Sequence, residues 1–167
     1  MTLAQVPKGD ILLIDANIFI YAALGKSKQC ERFVERCAAS EVSGIITSHI
    51  LAEIAHRLMM AEARENGWIS RSNPARDLAE QPERIKGLSR YENSIKNLLA
   101  MGIRFEPVHK EDFISALRVQ REWGLLTNDA LFVAVAERLR IQAIASADKT
   151  FSQVRGVILY SPDDLEV

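Results

Sequence analysis

Asp15, Glu53, Asp129 and Asp148 are acidic residues set among apolar neighbours, where surface charges would not be expected. Asp15 closes the run Ile-Leu-Leu-Ile-Asp, a buried-strand pattern followed at once by a carboxylate. Glu53 interrupts an apolar helical stripe formed by Ile50, Leu51, Ile54, Leu58 and Met59. Asp129 opens a second such stripe, and Asp148 follows the short run Ala-Ile-Ala-Ser. A carboxylate withdrawn from water is unfavourable unless it is paired or binds a cation. Four of them, each at the edge of a core element, are expected to share one metal site. A donor set of carboxylates with few nitrogen or sulfur ligands suits Mg²⁺, with Mn²⁺ as the alternative ion. Such ions hold phosphate groups, activate water and stabilise the leaving oxygen in phosphodiester hydrolysis. Singly, the acids have ordinary explanations. Asp129 would be favoured by the dipole at a helix start, and Asp148 suits an Asx turn. Together they are hard to explain as unrelated caps.

The elements that must position them alternate between short strands and helices. Strands are predicted at Ile11–Ile14, Gly44–Thr47, Ile103–Val108, Gln142–Ser146 and Val157–Tyr160. Helices are predicted over Asn17–Leu24, Lys28–Ala39, His49–Glu65, Glu83–Met101, Lys110–Trp123 and Asn128–Leu139. Ser48 is the expected N-cap of the long third helix, and Asn66-Gly67 its stop signal. Residues 68–82, with Pro74 and Pro82, break the periodicity and read as an exposed loop. Continuous apolar strands alternating with helices predict a three-layer α/β/α fold with a mainly parallel central sheet. Such a sheet binds ligands at the carboxyl ends of its strands. Asp15 and Asp148 stand at or just beyond two such ends.

The length of 167 residues suits one domain, residues 1–167, with an exposed helical or loop insertion around 64–90. The net charge of -1 excludes a wholly basic nucleic-acid binder. Residues 54–104 carry 9 Lys/Arg against 6 Asp/Glu and form the only net basic third. Cys30 and Cys37 fall two helical turns apart, roughly 10 Å, too far for a disulfide. No signal peptide and no membrane-spanning apolar run is evident, so a cytoplasmic protein without membrane contact is expected.

The stretches Leu-Ile-Asp15-Ala-Asn-Ile-Phe-Ile-Tyr, Leu-Ala-Glu53-Ile, Leu-Leu-Thr127-Asn128-Asp129-Ala-Leu-Phe-Val-Ala and Ser146-Ala-Asp148-Lys-Thr-Phe151 resemble the PIN-domain ribonucleases. The likeness is greatest to the VapC-type toxins of toxin–antitoxin pairs, and it covers nearly the whole chain. The resemblance implies a Mg²⁺-dependent endoribonuclease that leaves a 5′-phosphate and a 3′-hydroxyl. Asp15, Glu53, Asp129 and Asp148 would be its catalytic and metal-binding acids, with Asn17, Thr127 and Ser146 supporting them. Asp15 and Asp129 would ligate the ion, and Glu53 and Asp148 would complete the pocket. Arg57, Arg64 and Arg90 are candidate RNA phosphate contacts. An RNA substrate, a cognate antitoxin and a homodimer are the implied partners. Leu58, Met59, Met60 and Trp68, near basic residues, are expected to contribute to the dimer face or the antitoxin dock.

The family also contains RNA-processing nucleases that are not toxins, and a catalytically silent RNA- or protein-binding module is the rival from another class. A di-iron reading of Glu53-Ile-Ala-His56 and Glu106-Pro-Val-His109 fails. Pro107 and a β-like setting keep the second pair off a common helical face.

Overall fold

The computed structural model describes residues 1–70 and 72–165. Its centre is a five-stranded sheet of β1 (Ile11–Ile14), β2 (Ser43–Thr47), β3 (Arg104–Glu106), β4 (Ala143–Ala145) and β5 (Ile158–Tyr160). The order is β3-β2-β1-β4-β5 and every pairing is parallel. Leu12, Leu13 and Ile14 of the central strand are completely buried, as a strand covered on both faces requires.

From β1 the chain steps outward to β2 and β3, then returns to the other side of β1 for β4 and β5. Right-handed crossovers put the helices of these two excursions on opposite faces of the sheet. On the first face α1 (Ala16–Ala23), α2 (Lys28–Ala38), α3 (Ser48–Glu65) and α6 (Arg90–Ala100) pack as one group. On the other, α7 (Lys110–Trp123) packs along α8 (Thr127–Leu139). The predicted three layers are therefore present. Among the described residues no helix is long and apolar enough to cross a membrane.

Two glycines are required for different reasons, one by a close approach and one by its backbone conformation. A Cβ on Gly44 would stand 2.5 Å from Ile14 Cδ1 and 3.3 Å from Cys37 Sγ, so β2 requires glycine to seat β1 and α2 together. Gly124, at φ +66°, ends α7 in the left-handed conformation and lets a short turn start α8. Cys30 and Cys37 are free and buried. Burial pushes their thiols up to about 11 and about 12, so they behave as apolar filler.

The central segment differs from the sequence expectation. Residues 68–82 are not simply a loop: they contain α4 (Pro74–Ala79), started by a proline at its first position. The single helix predicted over Glu83–Met101 is two, α5 (Pro82–Gly87) and α6, separated by an extended Leu88. Glu62 of α3 accounts for the break. Its Oε1 accepts from the N–H groups of Ser89 (3.1 Å) and Arg90 (3.2 Å), and its Oε2 from Tyr91 (2.9 Å). A distant side chain thus supplies the cap that starts α6. Burial works against the Glu62 charge, but these donors and Arg90 hold its pKa below the usual range.

Leu78 and Leu88 bury against Met60 and Ala63 in a small second core, flanked by half-buried Met59 and Trp68. Leu58 is buried in the main core. The expectation that Leu58, Met59, Met60 and Trp68 form a docking face is corrected for Met59, Met60 and Trp68, whose apolar surface is largely used in this second core; Leu58 still edges a surface groove. Ser48 also departs from its expected role. It does not cap α3; its Oγ accepts from the Val108 N–H at 3.1 Å and ties the start of α3 to the segment after β3.

Candidate metal centre

Parallel pairing of β1 with β4 aligns Ile14 with Ala145, so the next residues, Asp15 and Ser146, leave the sheet side by side. The Asp15 N–H donates to the Ala145 carbonyl at 2.9 Å. The Asp15 carboxylate is then held from three sides. Oδ1 accepts from the Ala16 N–H at 2.6 Å, while Oδ2 accepts from Asn17 Nδ2 and Ser146 Oγ, each at 2.5 Å. Asn17 also accepts from the Ala147 N–H, and Ser146 Oγ accepts from the Asp148 N–H. Asn17 and Ser146, expected as supporting residues, clamp the β1 and β4 ends together. The order of the sheet reverses between these two strands, the topological switch point where ligands bind in open α/β sheets.

The other acids reach this point from neighbouring elements. Glu53 lies on α3, one helical turn beyond the end of β2, and Asp129 in the first turn of α8. Asp148 begins a 3₁₀ turn, its Oδ1 accepting from the Thr150 N–H at 2.8 Å. The Asx-turn explanation of Asp148 is therefore real, and its second oxygen is left over.

The charges of these carboxylates act on one another in pairs. Burial lifts the Asp15 carboxyl from 3.8 to about 6; the Ser146 and Ala16 bonds oppose the rise, and the charges of Glu53 and Asp129 add to it. Burial, then the charges of Asp148 and Glu53, hold Asp129 above the usual carboxylate range. Among the described residues Glu53 has a cationic partner, Arg57 at 3.5 Å, whereas Asp15, Asp129 and Asp148 have none within 4 Å. Nor do any three His, Cys, Asp or Glu side chains among the described residues stand close enough to enclose an ion together. Like charges repel, and side chains without a shared counter-ion favour splayed rotamers. An all-oxygen donor set of uncompensated carboxylates fits a hard divalent cation.

The remaining expected residues divide. Thr127 is exposed and accepts from Gln120 Nε2 at 3.3 Å, so its hydroxyl is outside the network around Asp15. Arg57 stands at the rim of the site through its pairing with Glu53. Arg64, in the last turn of α3, is exposed and makes no ion pair among the described residues. Arg90 pairs with Glu65 and lies 3.9 Å from Glu62, so its charge is occupied within the chain. Glu106 is held by Arg138 at 2.8 Å and Arg104 at 2.9 Å, which explains it without a metal.

The PIN domain family profile matches residues 12–157. The chain belongs to the PIN domain family. A chain of the VapBC2 structure from Rickettsia felis, bound to a DNA fragment from its promoter, is similar in fold. It has a TM-score of 0.61 and 16% identity over 92% of this chain and 99% of the other. VapC20 of Mycobacterium tuberculosis, described as a sarcin–ricin loop cleaving toxin, gives a TM-score of 0.55 and 19% identity. That match covers 84% of this chain and 92% of VapC20. A toxin–antitoxin complex from Klebsiella pneumoniae also gives 0.55, with 16% identity over 88% of this chain and 95% of the other. No curated protein sequence matches the chain.

Sequence reasoning passed over Asp112 and Arg138, and read His49 only as a structural or exposed residue. Asp112 and Arg138 form a buried pair that anchors α8, and His49 faces Phe132 of α8 from one turn before Glu53. The Asp112–Arg138 separation of 26 positions gives no local signal. The four-residue spacing of His49 and Glu53 does put both on one face of a helix.

Proposed function

We propose that this PIN domain is a metal-dependent endoribonuclease, the toxin of a toxin–antitoxin pair. The observation that carries this reading is the Asp15 carboxylate at the sheet's switch point, its pKa raised by burial and then by the charges of Glu53 and Asp129, in a chain whose residues 12–157 match the PIN domain family. Asp15 and Asp129 would hold the cation, Mg²⁺ or Mn²⁺, with Glu53 and Asp148 completing its surroundings. The bound ion supplies polarisation of the phosphoryl group and activation of water. Ser146 and Asn17 occupy Oδ2 of the Asp15 carboxylate and fix it, leaving one acceptor site on Oδ1 for the ion. Arg57 lies where a phosphate can draw it from Glu53, and Arg64 offers a second exposed cation further along α3.

Incubating the protein with structured RNA and Mg²⁺ tests the assignment. Cleavage is expected with the ion, none with EDTA, and none in Asp15→Asn. Metal-independent cleavage, or full activity in Asp15→Asn, would sink it.

Partner surfaces follow from what the fold leaves uncovered. A groove of about 290 Å³ between α1, α2, α3 and α6 is lined by Phe19, Val34, Leu58, Leu98 and Met101, with Glu31 and Glu35 beside them. It suits the apolar face of an amphipathic antitoxin segment bearing basic residues. The outer face of α7 exposes Phe113 (53%), Ile114 (61%) and Leu117 (60%), and we assign it to the homodimer. In light scattering, Leu117→Glu is expected to give the monomer mass where the wild type gives twice that. A wild type that stays monomeric at every concentration would dismiss the dimer.

A further inference from the structure

Three ring side chains form a row through the elements that carry Glu53, Asp129 and Asp148. His49 precedes Glu53 by one turn on α3, Phe132 follows Asp129 by one turn on α8, and Phe151 follows Asp148 in the 3₁₀ turn. His49 meets Phe132 edge-on, with centroids 6.3 Å apart and planes at 71°. Phe132 meets Phe151 at 5.7 Å. Phe132 and Phe151 are 1% and 0% exposed, so the row is packed in and cannot swing freely.

His49 is the polar end of this row. Its Nδ1 lies 3.0 Å from Oγ1 of Thr47, itself fully buried at the end of β2. Its Nε2 is buried and makes no hydrogen bond among the described residues. The nearby backbone of Asn128, the residue before Asp129, acts on the imidazole from outside good hydrogen-bonding geometry. Burial holds the ring neutral, with a pKa down at about 4, so it carries one N–H. With the Thr47 hydroxyl donating to Nδ1, the tautomer assigned from this bonding pattern, that N–H is on Nε2. An unsatisfied buried donor costs about 1–3 kcal/mol, a penalty an apolar ring would avoid. Ring packing and the Thr47 bond therefore account for one side of the imidazole and leave Nε2 unexplained.

We propose that His49 is a positioning residue that sets the separation between the Glu53 and Asp129 carboxylates, through its Thr47 anchor, its contact with Phe132 and its Nε2–H facing Asn128. A small approach of the α8 start toward α3 completes the bond from Nε2–H to the Asn128 carbonyl. The same movement brings Asp129 toward Glu53. This inference rests on the cation-dependent nuclease reading above.

The test compares His49→Phe, His49→Gln and His49→Asn with wild type by calorimetric titration of Mn²⁺, RNA-cleavage kinetics and thermal melting. His49→Phe keeps the ring packing, and is expected to melt close to wild type. It is also expected to bind Mn²⁺ about 10- to 100-fold more weakly, with kcat lowered and KM unchanged. A Gln amide reaches the Nε2 position and an Asn amide only the Nδ1 position, so Gln is expected to recover more Mn²⁺ affinity than Asn. If His49→Phe fails to fold, the Gln–Asn comparison decides alone. Wild-type Mn²⁺ affinity in His49→Phe, or equal affinities in Gln and Asn, overturns the proposal. A wild type that neither binds Mn²⁺ nor cleaves RNA overturns the nuclease reading with it. A wild type that does both beside unaffected variants overturns this inference alone.

Discussion

Asp129→Asn is expected to lower metal-dependent RNA cleavage by about 10²–10³-fold while raising the melting temperature of the metal-free protein. The two effects have one origin. Asp129 is half-buried, accepts no hydrogen bond among the described residues, and is held above the usual carboxylate range by burial and by Asp148 and Glu53. A carboxyl group whose pKa is raised by folding binds its proton more tightly in the native state. Its ionisation therefore subtracts stability as pH rises from the unfolded value through the folded one. The amide removes that charge without breaking a bond. Each kcal/mol of relief would correspond to about 2–4 °C in a domain of this size.

Asp15 provides the contrast and the pH window. Its carboxylate satisfies three donors, so Asp15→Ala loses hydrogen bonds as well as charge and is expected to melt below wild type. Its carboxyl titrates near about 6 against an ordinary 3.8. Protons thus compete with the cation below about pH 6. Stabilisation of wild type by saturating Mg²⁺ or Mn²⁺ is expected at pH 7.5 and should fade by pH 5. At 100 times Kd it would reach about 2.7 kcal/mol. Differential scanning fluorimetry at the two pH values checks this. An Asp129→Asn melting point below wild type, or one raised as much by the ion as wild type, would contradict the shared-pocket picture.

Arg138→Ala is expected to produce the largest loss of stability, about 3–5 kcal/mol. Arg138 closes α8 and reaches back across β3 and the start of α7. Its Nε and Nη2 bind both oxygens of Asp112 at 2.7 and 3.1 Å, and its Nη1 binds Glu106 at 2.8 Å. Asp112 is 2% exposed and also accepts from the His109 N–H, capping α7. Removing the guanidinium leaves Asp112 buried without a cation and Glu106 with Arg104 alone, which is far worse than never having had the pair. The pH dependence follows from the same contacts. Burial raises the Asp112 pKa, but Arg138 and the His109 N–H outweigh it and hold it low. For Glu106, Arg138 is the leading cause of a lowered value. Their contribution is complete above the unfolded carboxylate range and is lost as pH falls below about 4. Urea denaturation should therefore show a shallower acid-side decline in Arg138→Ala than in wild type. Combining Asp112→Ala with Arg138→Ala should cost less than the two losses added. Strict additivity would mean that the pair is not coupled.

The sequence by itself determined the alternation of strands and helices, because burial on both faces of a parallel sheet requires unbroken apolar runs such as Leu12–Ile14. It also singled out the carboxylates proposed for the site, most clearly Asp15, which closes the fully buried run Leu12–Ile14, where a lone charge has no favourable local explanation. The helix starting at Arg90 was not legible. Its cap is Glu62, separated in sequence by 28 positions, and local periodicity runs straight through Leu88. The burial of Met60 and Leu88 in a second core was equally hidden, because a helical stripe does not state whether it meets another stripe or water.

Only the tertiary structure decided the site's interior. Register between β1 and β4 puts Ser146 on Asp15, a bond across 131 positions, while Thr127, adjacent in sequence to the Asn128-Asp129 pair, turns to Gln120 instead. Side-chain chemistry is written locally and survives in any arrangement of the chain. The distances at which carboxylates repel, pair or share an ion exist only after strand order and helix packing have brought separate segments together.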